Sequence, residues 1–162
     1  MSQTAGLGSH PVTVLGVGNP IMGDDGAGLA ILEALEEKCG DPRVEFVYGV
    51  TGGLELLPCV QDATRLLVLD AVAGSEPGQV VRLTGDQLPR LLSSKLSPHQ
   101  VGLLDVFAAA RLSGREPASV MVIGIVPESV EMSLTLSPVV ARAVPAATDQ
   151  AMEILNAWLE AL

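Results

Sequence analysis

The sequence predicts an α/β fold, a three-layer αβα sandwich around a mainly parallel, twisted sheet of about five strands. Apolar runs of strand length alternate with helical patterns at nearly every step, which is typical of βαβ units. The run Leu66 to Leu69 has no polar alternation, so both of its faces are expected to be covered, as in parallel strands. A chain of 162 residues suits one domain with one substantial core.

The chain is expected to begin with a mobile tail over residues 1–11, followed by a single domain over residues 12–162. His10 belongs to this polar tail and is predicted to be solvated. Residues 12–17 are apolar and rich in β-branched side chains, which predicts a buried strand. A helix is predicted from Gly26 to Lys38, because leucines recur at helical spacing and Gly40 can end it.

Residues 16–28, which join this strand to this helix, hold five glycines and two adjacent carboxylates, Asp24 and Asp25. Glycine is costly in backbone entropy, so this density predicts a special conformation or the close approach of a ligand. The plainer alternative is that an aspartate caps the helix, because its carboxylate can accept from the unpaired N–H groups there.

The later helices and strands are predicted from the spacing of apolar residues, from helix-capping residues and from helix-breaking residues. Ser97, Pro98 and Gln100 form a cap, a first-turn proline and a capping-box glutamine, and Pro145 is expected to bend or break the last helix. Leu54, Leu56 and Leu57 are expected to pack on the sheet from a short helix capped by Thr51. The further strands are predicted at 44–48, 66–69, 79–83 (near an edge) and 120–126, and the helices at 54–59, around 86–92, from 98 to about 112 and from 138 to about 161.

Charge and cysteine content exclude several classes of function. Nine basic against nineteen acidic residues give a net charge of −10, which repels nucleic acid and anionic membrane surfaces. Cys39 and Cys59 have no metal-knuckle spacing and offer no disulfide framework, so a reducing cytoplasm is the expected setting. No apolar run reaches membrane-spanning length and no signal peptide is expected, so a cytoplasmic protein without a membrane partner is predicted.

Candidate chemistry lies where the predicted strands end, because ligands of open α/β sheets gather outside the carboxyl ends of the strands. Asp24 and Asp25 follow the first strand, Asp70 ends the Leu66 to Leu69 run, and His99 lies one turn into a capped helix. Singly, Asp70 is better explained as a strand-ending residue, and His99 is as much a surface histidine as a functional one. Together, carboxylates and an imidazole kept neutral by the helix dipole suit a borderline divalent ion such as nickel or zinc.

The sequence lacks the motifs of several other catalytic and nucleotide-binding sites. The sequence contains no nucleophile-elbow serine, no H-E-x-x-H helix and no Walker loop. The G-x-G of Gly16 and Gly18 has Ile21 where a dinucleotide-binding loop needs its third glycine. Glu128 is expected to be a structural partner with a smaller chance of lining the cleft.

Five segments together resemble the nickel-iron (NiFe) hydrogenase maturation endopeptidases. They are GVGNPIMGDDGAG at 16–28, TGGLELL at 51–57, LDA at 69–71, KLSPHQVGLLD at 95–105 and GIVPES at 124–129. The resemblance implies a five-stranded sheet covered by helices and a peptidase that removes a short C-terminal extension from the hydrogenase large-subunit precursor after nickel insertion. It further implies that Asp25, Asp70 and His99 are the catalytic and metal-contacting residues, and that the nickel ion arrives in the substrate.

Tyr48 departs from this resemblance, because many members of the family carry an aspartate at that position. A tyrosine there could line the cleft, or the subgroup could recognise a different large subunit.

A monomer is expected, with the large-subunit precursor as its partner. Two other classes remain open: a non-catalytic nucleotide- or cofactor-binding module that uses the glycine loop as an anion cradle, and a partner-binding assembly factor.

Overall fold

A computed structural model gives the architecture of residues 10–50, 53–85 and 98–162, with side chains in the last range described from residue 103 onward. The predictions for Thr51 and for a helical turn at 86–92 lie outside these residues. The elements are β1 (Val12–Val17), α1 (Ala27–Lys38), β2 (Val44–Gly49), α2 (Leu57–Asp62), β3 (Arg65–Ala71), β4 (Val80–Thr84), α3 (Pro98–Leu112), β5 (Ser119–Ile125) and α4 (Pro138–Glu160). Single 3-10 turns at Gly23–Gly26 and Leu54–Leu56 precede α1 and α2.

The five strands form one sheet in the order β2-β1-β3-β5-β4. The first three pairings are parallel, and only β4 runs antiparallel to its neighbour β5. This confirms a mainly parallel five-stranded sheet, with the strand that contains Arg82 at an edge. The carboxyl ends of β1, β2, β3 and β5 therefore lie on the same side of the sheet. We call this side the carboxyl edge, which is distinct from the edge strands β2 and β4.

Alternate residues of the central strands supply two separate cores, one on each face of the sheet. Val12 and Val14 of β1 pack under α1 and α4, whereas Leu15 and Val17 pack toward α2 and α3. The strand β3 has only apolar, buried residues from Leu66 to Leu69, as expected for a strand covered on both faces. These two cores make the three layers of the predicted sandwich.

Glycine permits the close contact between α1 and the sheet. A Cβ atom at Gly28 would lie 2.6 Å from the carbonyl oxygen of Val17 and closer still to that of Leu69. No side chain fits there, so Gly28 lets the first turn of α1 lie directly on the ends of β1 and β3. The glycine-rich loop is thus explained in part by packing.

The structure corrects one local prediction and narrows another. Leu54 was expected to pack on the sheet, but its side chain is exposed, because the 3-10 turn aims it away while Leu56 is buried. A break at Pro145 does not occur, since α4 continues through it. Pro145 and Ala141, whose carbonyl loses its helical partner, both lie on the exposed side, where water can satisfy the carbonyl. Among the described helices, none has the length and hydropathy that a membrane span needs.

Candidate active site

Asp24 is a fully buried carboxylate that connects two distant parts of the carboxyl edge. Its Oδ2 accepts hydrogen bonds from the backbone N–H groups of Glu128 (2.9 Å) and Ser129 (3.1 Å) and from the Ser137 hydroxyl (2.8 Å). Its Oδ1 accepts from the Ser137 N–H at 2.7 Å. Asp24 therefore fixes the loop between β5 and α4 to the loop after β1.

The charge of Asp24 is stabilised by these donors. Burial alone would raise the pKa of this carboxyl group, but the hydrogen bonds from Ser137, Ser129 and Glu128 outweigh burial and lower the pKa below its ordinary value. Asp24 is consequently an ionised structural group, and all its described hydrogen bonds hold chain segments together.

The helix-capping alternative is wrong for both aspartates. Neither the 3-10 turn at Gly23–Gly26 nor α1 has a side-chain hydrogen bond at its cap. Ser137 does occupy the cap position of α4, as predicted, but its hydroxyl donates to Asp24 instead of serving the helix. The two carboxylates thus act across the fold and within the loop, and the helix start is left to Gly26.

Asp25 is buried and is oriented by the loop that precedes it. Its Oδ2 accepts a hydrogen bond of 3.0 Å from the backbone N–H of Asn19, and the Asn19 side chain in turn accepts from the N–H of Ile21. Gly18 has a φ of +154°, and a Cβ there would collide with the carbonyl oxygen of Asp25. Asn19 was not singled out from the sequence, although an asparagine before a proline is a common turn signal.

Asp70 is also buried, one residue before the end of β3, and its Oδ1 accepts a 2.8 Å hydrogen bond from the N–H of Ala71. The strand β3 and the turn that contains Asp25 come within 8 Å of each other between Cα atoms. Because β1 and β3 are adjacent and parallel, both aspartates lie at the carboxyl edge beside the same pair of strands.

The backbone of His99 lies at the same edge. The C-terminal end of α3 lies at the opposite edge of the sheet. The Gln61 side chain of α2, just before β3 begins, donates a hydrogen bond to Ser113, which directly follows α3. A helix of fifteen residues spans about 20 Å, roughly the length of these strands, so the first turn of α3 reaches the carboxyl edge. The His99 side chain lies outside the described residues.

Tyr48 does not lie with the two buried aspartates. It is half-exposed on the edge strand β2, and its hydroxyl donates a 2.8 Å hydrogen bond to Glu36 of α1. That hydrogen bond, together with burial and the charges of Glu36 and Glu33, raises the pKa of Tyr48 to about 12. Tyr48, Glu33, Glu36 and Glu37 line a shallow surface cavity of about 370 Å³.

Glu128 participates through its backbone alone among the described contacts, since its N–H donates to Asp24 while the residue is exposed. Ser129 and Ser137 were not predicted as site-forming residues. They follow apolar runs, as many loop serines do, and no local pattern connects them with an aspartate more than a hundred positions away.

Two buried carboxylates held by backbone donors, with a helix start nearby, supply oxygen ligands for a divalent cation. Among residues with described side chains, no group of three acids, histidines or cysteines is arranged to hold a metal ion. Asp25 and Asp70 by themselves do not make up such a group.

Comparison with known proteins adds a family match. Residues 29–154 match the family model described as "HycI: Hydrogenase maturation protease". The chain is 37% identical over 148 residues to the hydrogenase 2 maturation protease of Escherichia coli, covering 90% of both proteins. It is 38% identical to the hydrogenase expression/formation protein HupD of Rhodobacter capsulatus, covering 91% of this chain and 72% of that protein.

Solved structures of hydrogenase maturation proteases have the same fold as this chain. The hydrogenase maturating endopeptidase HybD of E. coli matches with a TM-score of 0.84 and 36% identity, over 90% of this chain and 91% of that one. The NiFe hydrogenase maturation protease HybD of Thermococcus kodakarensis matches with a TM-score of 0.71 and 27% identity, over 88% and 97% of the two chains.

Proposed function

Because this chain belongs to the hydrogenase maturation protease family, we propose that it removes the C-terminal extension of a NiFe hydrogenase large-subunit precursor after nickel has been inserted. Its activity class is that of a hydrogenase maturation endopeptidase. The observation that carries the finer proposal is the placement of Asp25 and Asp70, two buried carboxylates beside adjacent parallel strands, at the edge where the first turn of α3 holds His99.

Asp25, Asp70 and His99 are proposed to recognise the nickel ion that the precursor carries. Two carboxylate oxygens and one imidazole nitrogen form a mixed donor set that suits a borderline divalent ion. The positive end of the α3 dipole disfavours imidazolium at His99, so the ring keeps a free nitrogen for the ion. Nickel held in this way would position the scissile peptide and supply Lewis-acid polarisation of its carbonyl.

Asp25 and Asp70 are also the candidates for the general base. Hydrolysis needs a group that takes a proton from the attacking water while the leaving amine gains one, and a positioned carboxylate can do this. Asp24 is not proposed for this role, because four hydrogen bonds occupy its two oxygens. Its contribution is to hold the loop that carries Asp25.

The anion-cradle alternative is not favoured. A nucleotide phosphate at the glycine loop would face the carboxylates of Asp24 and Asp25, both buried within that loop. Among the described glycines of this loop, Gly18, Gly23 and Gly28 are explained by positive φ or by close packing on backbone atoms.

Replacement of His99 tests the proposal, and the other histidine is a matched control. His10 lies near Glu45 at the beginning of β1, away from the carboxyl edge. With nickel-loaded precursor, His99→Ala is expected to slow processing by about 100-fold or more, whereas His10→Ala retains the rate within about twofold. Processing is followed by the mobility shift of the precursor on gels.

The same assay with nickel-free precursor gives the second arm. The unaltered chain is expected to leave nickel-free precursor uncut. Equal processing of precursor with and without nickel, or equal rates for the two histidine variants, would contradict the proposed recognition of nickel by this site.

A further inference from the structure

An exposed apolar strip lies along the carboxyl edge beside the candidate site. We infer that this strip binds an extended, apolar segment of the precursor polypeptide and so supplies part of the substrate affinity. The inference rests on the proposed function and deepens it. The strip consists of Ile21 (47% exposed), Val130 (49%), Met132 (79%) and Leu134 (83%).

The strip is a built surface, because its two segments are bonded to each other. Met22 and Ser133 form a parallel bridge, in which the Ser133 N–H donates to the Ile21 carbonyl and the Gly23 N–H donates to the Ser133 carbonyl. The Asp24 N–H donates to the Ser129 carbonyl, and the buried Asp24 carboxylate binds both ends of the 128–137 loop. The large apolar side chains of the strip are thus exposed to solvent on a backbone that is fixed by hydrogen bonds.

The backbone of this segment also has a free side. Ser133 uses both of its main-chain groups on the Ile21 side, and the chain bends at the residues on either side of it. Across the described residues, no hydrogen bond involves the main-chain groups of Met132 or Leu134. The main-chain groups of Met132 and Leu134 are therefore available to hydrogen-bond a bound peptide beside the exposed apolar side chains.

The position of the strip next to the candidate site indicates that the precursor is what binds there. The strip is continuous with the site, since Ile21 belongs to the loop that positions Asp25 and Gly23 leads directly into the two aspartates. A peptidase substrate must run past these residues as an extended chain. A second copy of this chain is a poorer fit, because a stable interface takes roughly 20–30 residues per partner and the strip offers four side chains.

Charge narrows the chemistry of the bound segment. The loops that form the strip, residues 19–25 and 127–137, contain Asp24, Asp25, Glu128 and Glu131 but no lysine or arginine. A precursor segment with carboxylates would be repelled there. The strip is therefore suited to an apolar segment whose flanking charges are neutral or basic.

The test compares Met132→Ser/Leu134→Ser with a control that removes equally exposed apolar side chains elsewhere. Leu112 (89% exposed) and Leu162 (50% exposed) end α3 and follow α4, both at the opposite edge of the sheet. Steady-state processing of nickel-loaded precursor is measured for the unaltered chain, the strip variant and Leu112→Ser/Leu162→Ser. Thermal unfolding followed by circular dichroism verifies that all three are folded.

The strip variant is expected to raise KM at least about tenfold with kcat within about twofold, while the control changes neither. If the unaltered chain processes the precursor and the strip variant has the same KM, the inference is overturned and the proposed function stands. If the unaltered chain cuts nothing, the proposed function fails, and the Kd for the precursor then decides the inference: a tenfold loss in the strip variant alone supports it, and equal Kd values overturn it.

Discussion

Asp24 is a single side chain that holds two distant loops of the chain together. Its two oxygens accept four hydrogen bonds from residues 104 to 113 positions away. An amide in its place has one acceptor oxygen and directs an NH₂ group toward groups that are themselves donors. Buried donors would then lose their partners, which is among the costlier changes available in a folded protein.

Asp24→Asn is therefore expected to lower the free energy of unfolding by about 2–4 kcal/mol, measured by urea denaturation near neutral pH. The control is Asp149→Asn, which removes the exposed partner of Lys38 at 3.3 Å and should cost less than about 0.5 kcal/mol. Similar losses in the two variants would mean that the Asp24 hydrogen bonds do not hold the loop.

The stabilising effect of Asp24 should depend on pH with a definite sign. Its pKa in the folded chain is below the unfolded value of 3.8, so its contribution is complete above pH 3.8 and is lost as the pH falls through the folded value. The difference in unfolding free energy between the unaltered chain and Asp24→Asn should thus be constant from pH 7 to about pH 5 and shrink below pH 3.8. Urea titrations at several pH values measure it, and a difference that grows on acidification would contradict the assignment.

At the scale of elements, the position of α1 depends on the absence of a side chain at Gly28. A methyl group there would push α1 away from the carbonyl oxygens at the ends of β1 and β3, next to both Asp25 and Asp70. Helix propensity by itself favours alanine over glycine, so any loss measured at this position comes from overpacking.

Gly28→Ala is expected to cost about 2–3 kcal/mol of unfolding free energy and to reduce processing, because α1 and the Asp25 turn move together. Gly40 is the matched control, since no atom lies within 4 Å of a Cβ built there and its φ is not in the left-handed region. Gly40→Ala should change the unfolding free energy by less than about 0.5 kcal/mol. Denaturant midpoints of the two variants distinguish these outcomes, and equal midpoints would refute the packing argument.

The elements were predictable from sequence to the extent that their signals are local. The spacing of apolar residues predicted β1, β3 and β5 to within two residues at each end, and Ser137 was placed correctly before α4. The use of Ser137 was not predictable, because its hydroxyl bonds a carboxylate 113 positions away. The exposure of Leu54 likewise depends on a 3-10 turn that no periodicity signals.

The candidate site was predicted through topology. The rule that parallel strands end at one edge predicted Asp25 and Asp70 at the same edge, and in the sheet β1 and β3 are neighbours. The involvement of Asn19 and Ser129 could not be derived, since both act through backbone groups whose direction depends on the tertiary fold. The joint role of Asp25, Asp70 and His99 stays a prediction for the variants proposed above.

At the scale of the whole molecule, charge and the placement of apolar surface favour a single chain in solution. The net charge of −10 disfavours self-association, and the exposed leucines at 112 and 162 lie at the edge opposite the strip. Sedimentation equilibrium at about 50 µM and moderate salt is expected to give a mass near 16.7 kDa. A mass of twice that value that falls when Met132 and Leu134 are replaced by serine would contradict a monomer and assign the strip to self-association.

The bonds that Asp24 makes also bear on the order in which a newly made chain matures. Residue 24 is synthesised 113 residues before residue 137, so the turn that carries Asp25 lacks this anchor until residue 137 has been translated. The turn that holds Asp25 would therefore reach its final geometry only after residue 137 has been added to the chain.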